Sequence, residues 1–222
     1  MTSEPTTDRD IEILDRLLSR RARRAGAAYS GPGAGETQQP VRPPIRFTAG
    51  IPDPEALPVD DLIAASEAAL RRDGIDALEY GGTQGFGELR EWLASHFGAG
   101  EGLPLTPAHF SLTNGSAEAL VNVCETFVDE DDVVCVESPS FPGSIRAIRS
   151  FGPRVEGIPV DAEGMDVEAL AAMLARLERE GQRAKLVYTI ASYHNPTGTT
   201  LSLERRQKLL ALCAHHGARD RR

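Results

Sequence analysis

Three short segments carry residue types whose chemistry calls for a partner. Thr113-Asn-Gly-Ser-Ala117 runs from an apolar stretch into a helical pattern. Free amides and the dipole at such a helix start bind phosphate, and Gly115 lets the backbone come close to a ligand. The same residues also suit an ordinary strand-to-helix turn capped by Ser116. Glu137-Ser-Pro-Ser-Phe-Pro-Gly143 sets Phe141 between two prolines. A flat ligand stacks on such a ring, and the competing reading is an apolar plug beneath the loop. Tyr193-His-Asn-Pro-Thr-Gly198 presents Asn195 from an extended Asn-Pro turn, where its amide can donate to a ligand oxygen. His194 reads as a loop residue, because no Asp or Glu partner is evident near it. His215 and His216 are neighbours on a helical pattern and do not share a face, so they read as a helix end and not as a metal pair. No metal site is expected.

These loops need elements to hold them. Phe110–Thr113 reads as a strand and 117–128 as a helix, with Leu120, Val121, Cys124, Phe127 and Val128 at helical spacing. Val133-Val-Cys-Val136 is a continuous apolar run, the pattern of a strand buried on both faces. A short helix over 143–151, a strand over 154–160, a helix over 166–180 and a strand over 186–190 follow. A last helix spans 202–216, with Ser202 as N-cap and Gly217 as its stop. Such alternation predicts a doubly wound α/β sheet, in which ligands sit at the carboxyl ends of the strands. Upstream, short helices are expected over 62–70 and 88–96, flanking the Gly-rich turn Tyr80-Gly-Gly-Thr-Gln-Gly-Phe-Gly87. Residues 8–25 read as an amphipathic helix, acidic early and Arg-rich late, which suits the helix dipole. An arm over 30–44 follows, with three Gly and four Pro, and the two together are expected to wrap something outside the core.

The 222 residues carry 24 basic and 33 acidic side chains, a net charge of −9. An acidic chain has no long-range attraction for phosphate backbones or anionic lipid, so neither nucleic acid nor membrane is an expected partner. No apolar run approaches the ~20 residues of a membrane span, and with neither a basic nor an apolar region at Met1-Thr-Ser-Glu-Pro5, no secretory signal is expected there. Cys124, Cys135 and Cys213 form no disulfide frame, which fits a cytoplasmic, reducing setting. Only two lysines are present, Lys185 and Lys208.

Taken in order, Tyr80-Gly-Gly-Thr-Gln-Gly85 with Leu89-Arg90, Leu112-Thr-Asn-Gly-Ser-Ala-Glu-Ala-Leu120, Glu137-Ser-Pro-Ser-Phe-Pro-Gly143 and His194-Asn-Pro-Thr-Gly198 resemble the pyridoxal-phosphate-dependent aminotransferases of class I/II, fold type I. With the opening Phe47-Thr-Ala-Gly-Ile-Pro52, the resemblance falls in the 2-aminoadipate and aromatic branch and covers roughly 45–217. It implies an α/β fold, part of the doubly wound large domain of a fold type I transferase, with an N-terminal helix and arm. The expected division is helix and arm at 1–45, the first part of the large domain at 46–217, and an aberrant or truncated tail at 218–222. The implied cofactor is pyridoxal 5'-phosphate. The implied partners are an amino acid and a 2-oxo acid as substrates and a second copy in a homodimer. Gly115, Ser116 and Ala117 resemble the phosphate cup. Phe141 resembles the aromatic that stacks on the pyridine ring, although the family often has Tyr there. Asn195 resembles the amide that hydrogen-bonds the cofactor's phenolate oxygen. Tyr80 resembles the tyrosine that reaches the neighbouring subunit's phosphate, and Gly50 a glycine near the substrate carboxylate.

The chain also departs from the family pattern. After Gly217 the family continues into an apolar strand ending in the Asp that pairs with the pyridine nitrogen, whereas this chain reads Ala218-Arg-Asp-Arg-Arg222. The Schiff-base lysine and the substrate arginine belong further downstream. Lys185 opens a strand at the end away from the site, and Lys208 lies mid-helix, so no catalytic residue is expected within this chain. The expectation is a truncated, catalytically inactive member. The different-class alternative is a non-catalytic ligand-binding or regulatory module with the same fold. The resemblance also assigns later strands to the place beside 110–113, so packing over 105–130 is expected to be thin and the sheet edges unpaired.

Overall fold

The computed structural model describes residues 16–27 and 53–217. Contacts divide the chain into two units, one of Met1–Gly33 with Asn114–Arg222 and one of Ala34–Thr113. In chain order the helices are α1 (Arg20–Ala27), α2 (Val59–Asp73), α3 (Gly87–Glu101), α4 (Gly115–Phe127), α5 (Pro142–Ser150), α6 (Val167–Arg179) and α7 (Leu203–Gly217). The strands are β1 (Val133–Ser138), β2 (Arg154–Asp161), β3 (Gly164–Met165) and β4 (Ala184–Tyr188).

The larger unit is built on a sheet of order β3-β2-β1-β4. β1 pairs in parallel with β2 on one side and with β4 on the other, and β3 folds back antiparallel on β2. Successive strand residues face opposite sides, and both sides of β1 are covered. Val133 and Cys135 join Ile158, Leu170, Leu174, Leu177 and Leu209 in one core, under α6 and α7. Val134 and Val136 join Cys124, Val128 and Ile148 in the other, under α4 and α5. The unbroken apolar run of β1 is therefore the consequence of two helical layers, as a doubly wound sheet requires. The chain leaves β1 for β2 on one side and later returns to β4 on the other. That makes the gap between the ends of β1 and β4 the topological switch point, where crevices open in such sheets.

Several elements differ from the sequence expectation. Phe110–Thr113 joins no ladder. Its Leu112 amide bonds instead to the Gln84 carbonyl at 2.9 Å within the smaller unit, since no described strand lies beside it. Between 105 and 130 only Cys124 and Val128 are buried. β4 occupies 184–188 and not 186–190. Beyond the ladder, the Thr189 hydroxyl and the Ile190 amide donate to a side chain on β1, described below. The short β3 hairpin was not anticipated. Ser202 does lie at the start of α7, where its Oγ accepts from the Arg205 amide at 3.4 Å.

The basic N-terminal helix packs on its own unit rather than outside it. The Arg21 guanidinium lies 3.9 Å from the Phe151 ring centroid, and Arg24 pairs with Glu130 at 3.0 Å. The expected continuous 8–25 helix is interrupted, since Leu18 and Ser19 are not helical; residues 8–15, the arm, Gly50 and the tail with Asp220 lie outside the described residues. In the smaller unit, the Arg90 guanidinium donates to Gln84 Oε1 at 3.0 Å and to the Pro107 carbonyl at 3.2 Å, holding the Gly-rich turn against the end of that unit.

Candidate functional site

The first turn of α4 opens on Gly115. Gly115 takes a φ of 76°, a left-handed conformation that glycine adopts without cost, and the space where a Cβ would stand is open. The amides of Ser116 and Ala117 belong to the helix's first turn, which has no intrahelical acceptors for them. The Glu118 carboxylate accepts from the Asn114 amide just before that turn. Ser116 and Ala117 line a cleft of about 410 Å³ together with Leu120, Phe141, Ser144 and Arg146. Its walls are the first half of α4 and the length of α5, from Gly143 to Ser150.

Phe141 precedes α5 and is 43% exposed, so it is not a plug beneath its loop. Its ring lies across Gly143, where an added Cβ would fall 2.6 Å from the ring edge. A side chain at 143 would push the ring off this position. Ser140 Oγ, one residue earlier, is buried and without a hydrogen-bond partner among the described residues. α5 is tied to the sheet by Tyr188, at the end of β4, whose hydroxyl donates to Ser144 Oγ at 2.7 Å.

Asn195 lies on the loop that follows β4, at the switch point, and is exposed. It does not line the α4–α5 cleft. Its neighbour His194 is buried, and the reading of His194 as a plain loop residue is corrected by what it meets. His194 Nε2 lies 3.1 Å from Glu137 Oε2, with both side chains 1% exposed. Its N–H is not aimed straight along that line, and no other acceptor is in reach. The Glu137 carboxylate also accepts from Thr189 Oγ1 and from the Ile190 amide, each at 2.7 Å. On the other side of the ring, Nδ1 lies 2.8 Å from Thr197 Oγ1. The ring is thus held between a buried carboxylate and a hydroxyl.

The structure thus gathers Ser116, Ala117 and Phe141 around one cleft, with Gly115 at the same helix start. Asn195 sits on the loop after β4, outside that cleft. Tyr80 belongs to the smaller unit, where it is fully exposed. Glu137 belongs to one of the sequence motifs, yet the sequence alone gives it no role. Its signal was an acidic residue closing an otherwise apolar, doubly covered strand, a buried charge that must find donors. Lys185 stands at a register shift in β4, 3.9 Å from Asp132 just before β1, at the end of the sheet away from these loops. Lys208 pairs with Glu204 at 3.1 Å and Glu168 at 3.4 Å on the outer side of α7. Among the described residues no group of His, Cys, Asp and Glu could hold a metal ion, and no helix is long and apolar enough to cross a membrane.

Residues 42–219 match the model of the family described as aminotransferase class I and II. The chain is 34% identical over 172 residues to aromatic-amino-acid aminotransferase 1 of Thermococcus litoralis, covering 78% of this chain and 41% of that protein. It is 35% identical over 173 residues to the 2-aminoadipate transaminase of Thermus thermophilus, again over 78% and 41%. Among solved structures, an archaeal alanine:glyoxylate aminotransferase superposes with a TM-score of 0.71 at 35% identity, over 76% of this chain and 42% of that one. The chain therefore spans about two fifths of the length of these relatives.

Proposed function

The chain belongs to the class I and II aminotransferases, fold type I enzymes whose cofactor is pyridoxal 5'-phosphate, and from that premise we propose that its larger unit holds this cofactor at the carboxyl end of the sheet. The observation that carries the reading is the meeting of Ser116, Ala117 and Phe141 on one cleft beside an open, left-handed Gly115. The residues fit the group. The start of α4 offers amides and a positive dipole end to a phosphate. Phe141 offers a half-exposed flat face to a pyridine ring. Asn195 offers an exposed amide to a phenolic oxygen. Bound there, the cofactor would supply an electrophilic aldehyde and an electron sink. The chain's own residues would bind it, orient its ring and hold its phosphate.

The parent activity we assign is transfer of an amino group between an amino acid and a 2-oxo acid. Within these 222 residues we assign cofactor binding and no catalytic residue. Lys185 and Lys208, both engaged in surface ion pairs, are the lysines available, and neither faces the loops of the site. Tyr80, fully exposed on its own unit, would reach the phosphate held by a second copy, so a cytoplasmic homodimer completes the reading.

The deciding experiment compares binding of pyridoxal 5'-phosphate and of pyridoxal by equilibrium dialysis. The phosphate ester should bind at least about tenfold more tightly, since charge-assisted hydrogen bonds at a helix start contribute about 1.5–3 kcal/mol. Equal affinities would remove the phosphate cup.

A further inference from the structure

We propose that Glu137 and His194 form a positioning pair that sets where Asn195 is held, so that Glu137 acts on the bound group through His194 without touching it. The inference rests on the role assigned above to Asn195.

The loop after β4 is secured in two different ways. Its two ends are held by Arg206 of α7, which donates to the Ala191 carbonyl at 2.6 Å, Ser192 Oγ at 2.9 Å and the Leu201 carbonyl at 2.8 Å. The Leu201 amide closes the base on the Ala191 carbonyl at 2.9 Å. The tip is closed on itself, by the His194 amide on the Thr199 carbonyl at 2.8 Å and the Gly198 amide on the His194 carbonyl at 2.6 Å. The His194 ring reaches from that tip to the sheet, ending on Glu137 at the end of β1. The same carboxylate takes Thr189 and Ile190 at the root of the loop. One side chain of β1 therefore spans the root and the tip of the segment that carries Asn195.

Two further observations give this anchor a purpose beyond packing. Tyr193 has a φ of 50° and is 87% exposed. A left-handed tyrosine is disfavoured, and it is the bend that turns His194 inward while the next residue points out. Asn195, for its part, makes no side-chain hydrogen bond among the described residues. Its place is set by backbone alone, and that backbone is continuous with the anchored His194. A buried carboxylate and imidazole are seldom the most stabilising choice for a core. What they supply is one allowed position for the ring, hence one for the residue beside it.

The test uses the whole chain, pyridoxal 5'-phosphate as the probe, and the variants Glu137→Gln, His194→Gln, Asn195→Ala and the double variant Glu137→Gln/Asn195→Ala. Affinity is read by titration, and hydrogen exchange of 189–201 by mass spectrometry. Glu137→Gln should weaken the probe about tenfold and speed exchange at the His194 and Gly198 amides by a similar factor, with the Leu201 amide unchanged. His194→Gln keeps a donor for Glu137 and should stay within about threefold. In the Asn195→Ala background, Glu137→Gln should add less than about twofold, because the two changes share one path. Additive losses, or unchanged exchange at the tip, would overturn the proposal. If the wild-type chain binds no probe, the reading of the cofactor site fails. The exchange comparison then decides the pair alone, faster tip exchange supporting it and unchanged exchange rejecting it. Should Glu137→Gln not fold, His194→Ala, which leaves Glu137 its other two donors, is expected to give the same losses.

Discussion

Glu137 at the end of β1 and His194 in the loop after β4 meet at 3.1 Å in a buried contact. They are far apart in sequence and adjacent only because β1 and β4 are parallel neighbours. Glu137→Ala removes the acceptor of the Thr189 hydroxyl and the Ile190 amide, and the carboxylate that the His194 ring packs against. Leaving such donors buried and unpaired should cost about 3 kcal/mol in urea unfolding. A loss below about 1 kcal/mol would show that water or rearrangement satisfies them.

Phe141 separates stability from binding. Its ring is 43% exposed, so Phe141→Ala should lower unfolding stability by no more than about 1 kcal/mol. Affinity for pyridoxal 5'-phosphate should fall roughly tenfold, because the ring's stacking partner is gone. A large stability loss with unchanged affinity would return Phe141 to the role of a core residue.

The two lysines make a chemical prediction. Borohydride reduction of the chain with one equivalent of pyridoxal 5'-phosphate, followed by peptide mapping, should leave no stoichiometric adduct at Lys185 or Lys208. Lys208 is held protonated by its hydrogen bonds to Glu204 and Glu168, and the protonated amine is not a nucleophile. No amino transfer should be detected from the chain by itself. A single full adduct at either residue, accompanied by turnover, would contradict the assignment.

Cys135 supplies a pH dependence. Burial, with Glu156 adding to it, pushes its thiol up to about 11 from an ordinary 9.0. The folded state therefore keeps a proton that the unfolded chain releases first. The associated stability is complete below pH 9 and is lost as pH rises towards about 11. Urea midpoints should fall across that window, and less so in Cys135→Val. Alkylation at pH 9 should reach the exposed Cys213 first and the buried Cys124 and Cys135 only on unfolding. Native-state labelling of Cys135 at the rate of Cys213 would sink this account.

What could be read without coordinates was local. The period-3.6 spacing of Leu170, Leu174 and Leu177 announced α6, and the run Val133–Val136 announced a strand with both faces covered, because side-chain periodicity within a window of ten residues reports which faces are buried. The glycine at 115 and the Asn-Pro turn at 195 were legible for the same reason, as each constrains its own backbone. Tertiary structure decided the rest. It paired β4 with β1, brought Glu137 under His194, and left Phe110–Thr113 without a ladder. A strand's apolar pattern says that it must be covered, but not by which neighbour. Hydrogen bonds between remote residues depend on that choice of neighbour. The acidic partner of His194 was therefore invisible along the chain, since it lay one strand away in space and 57 positions away in sequence.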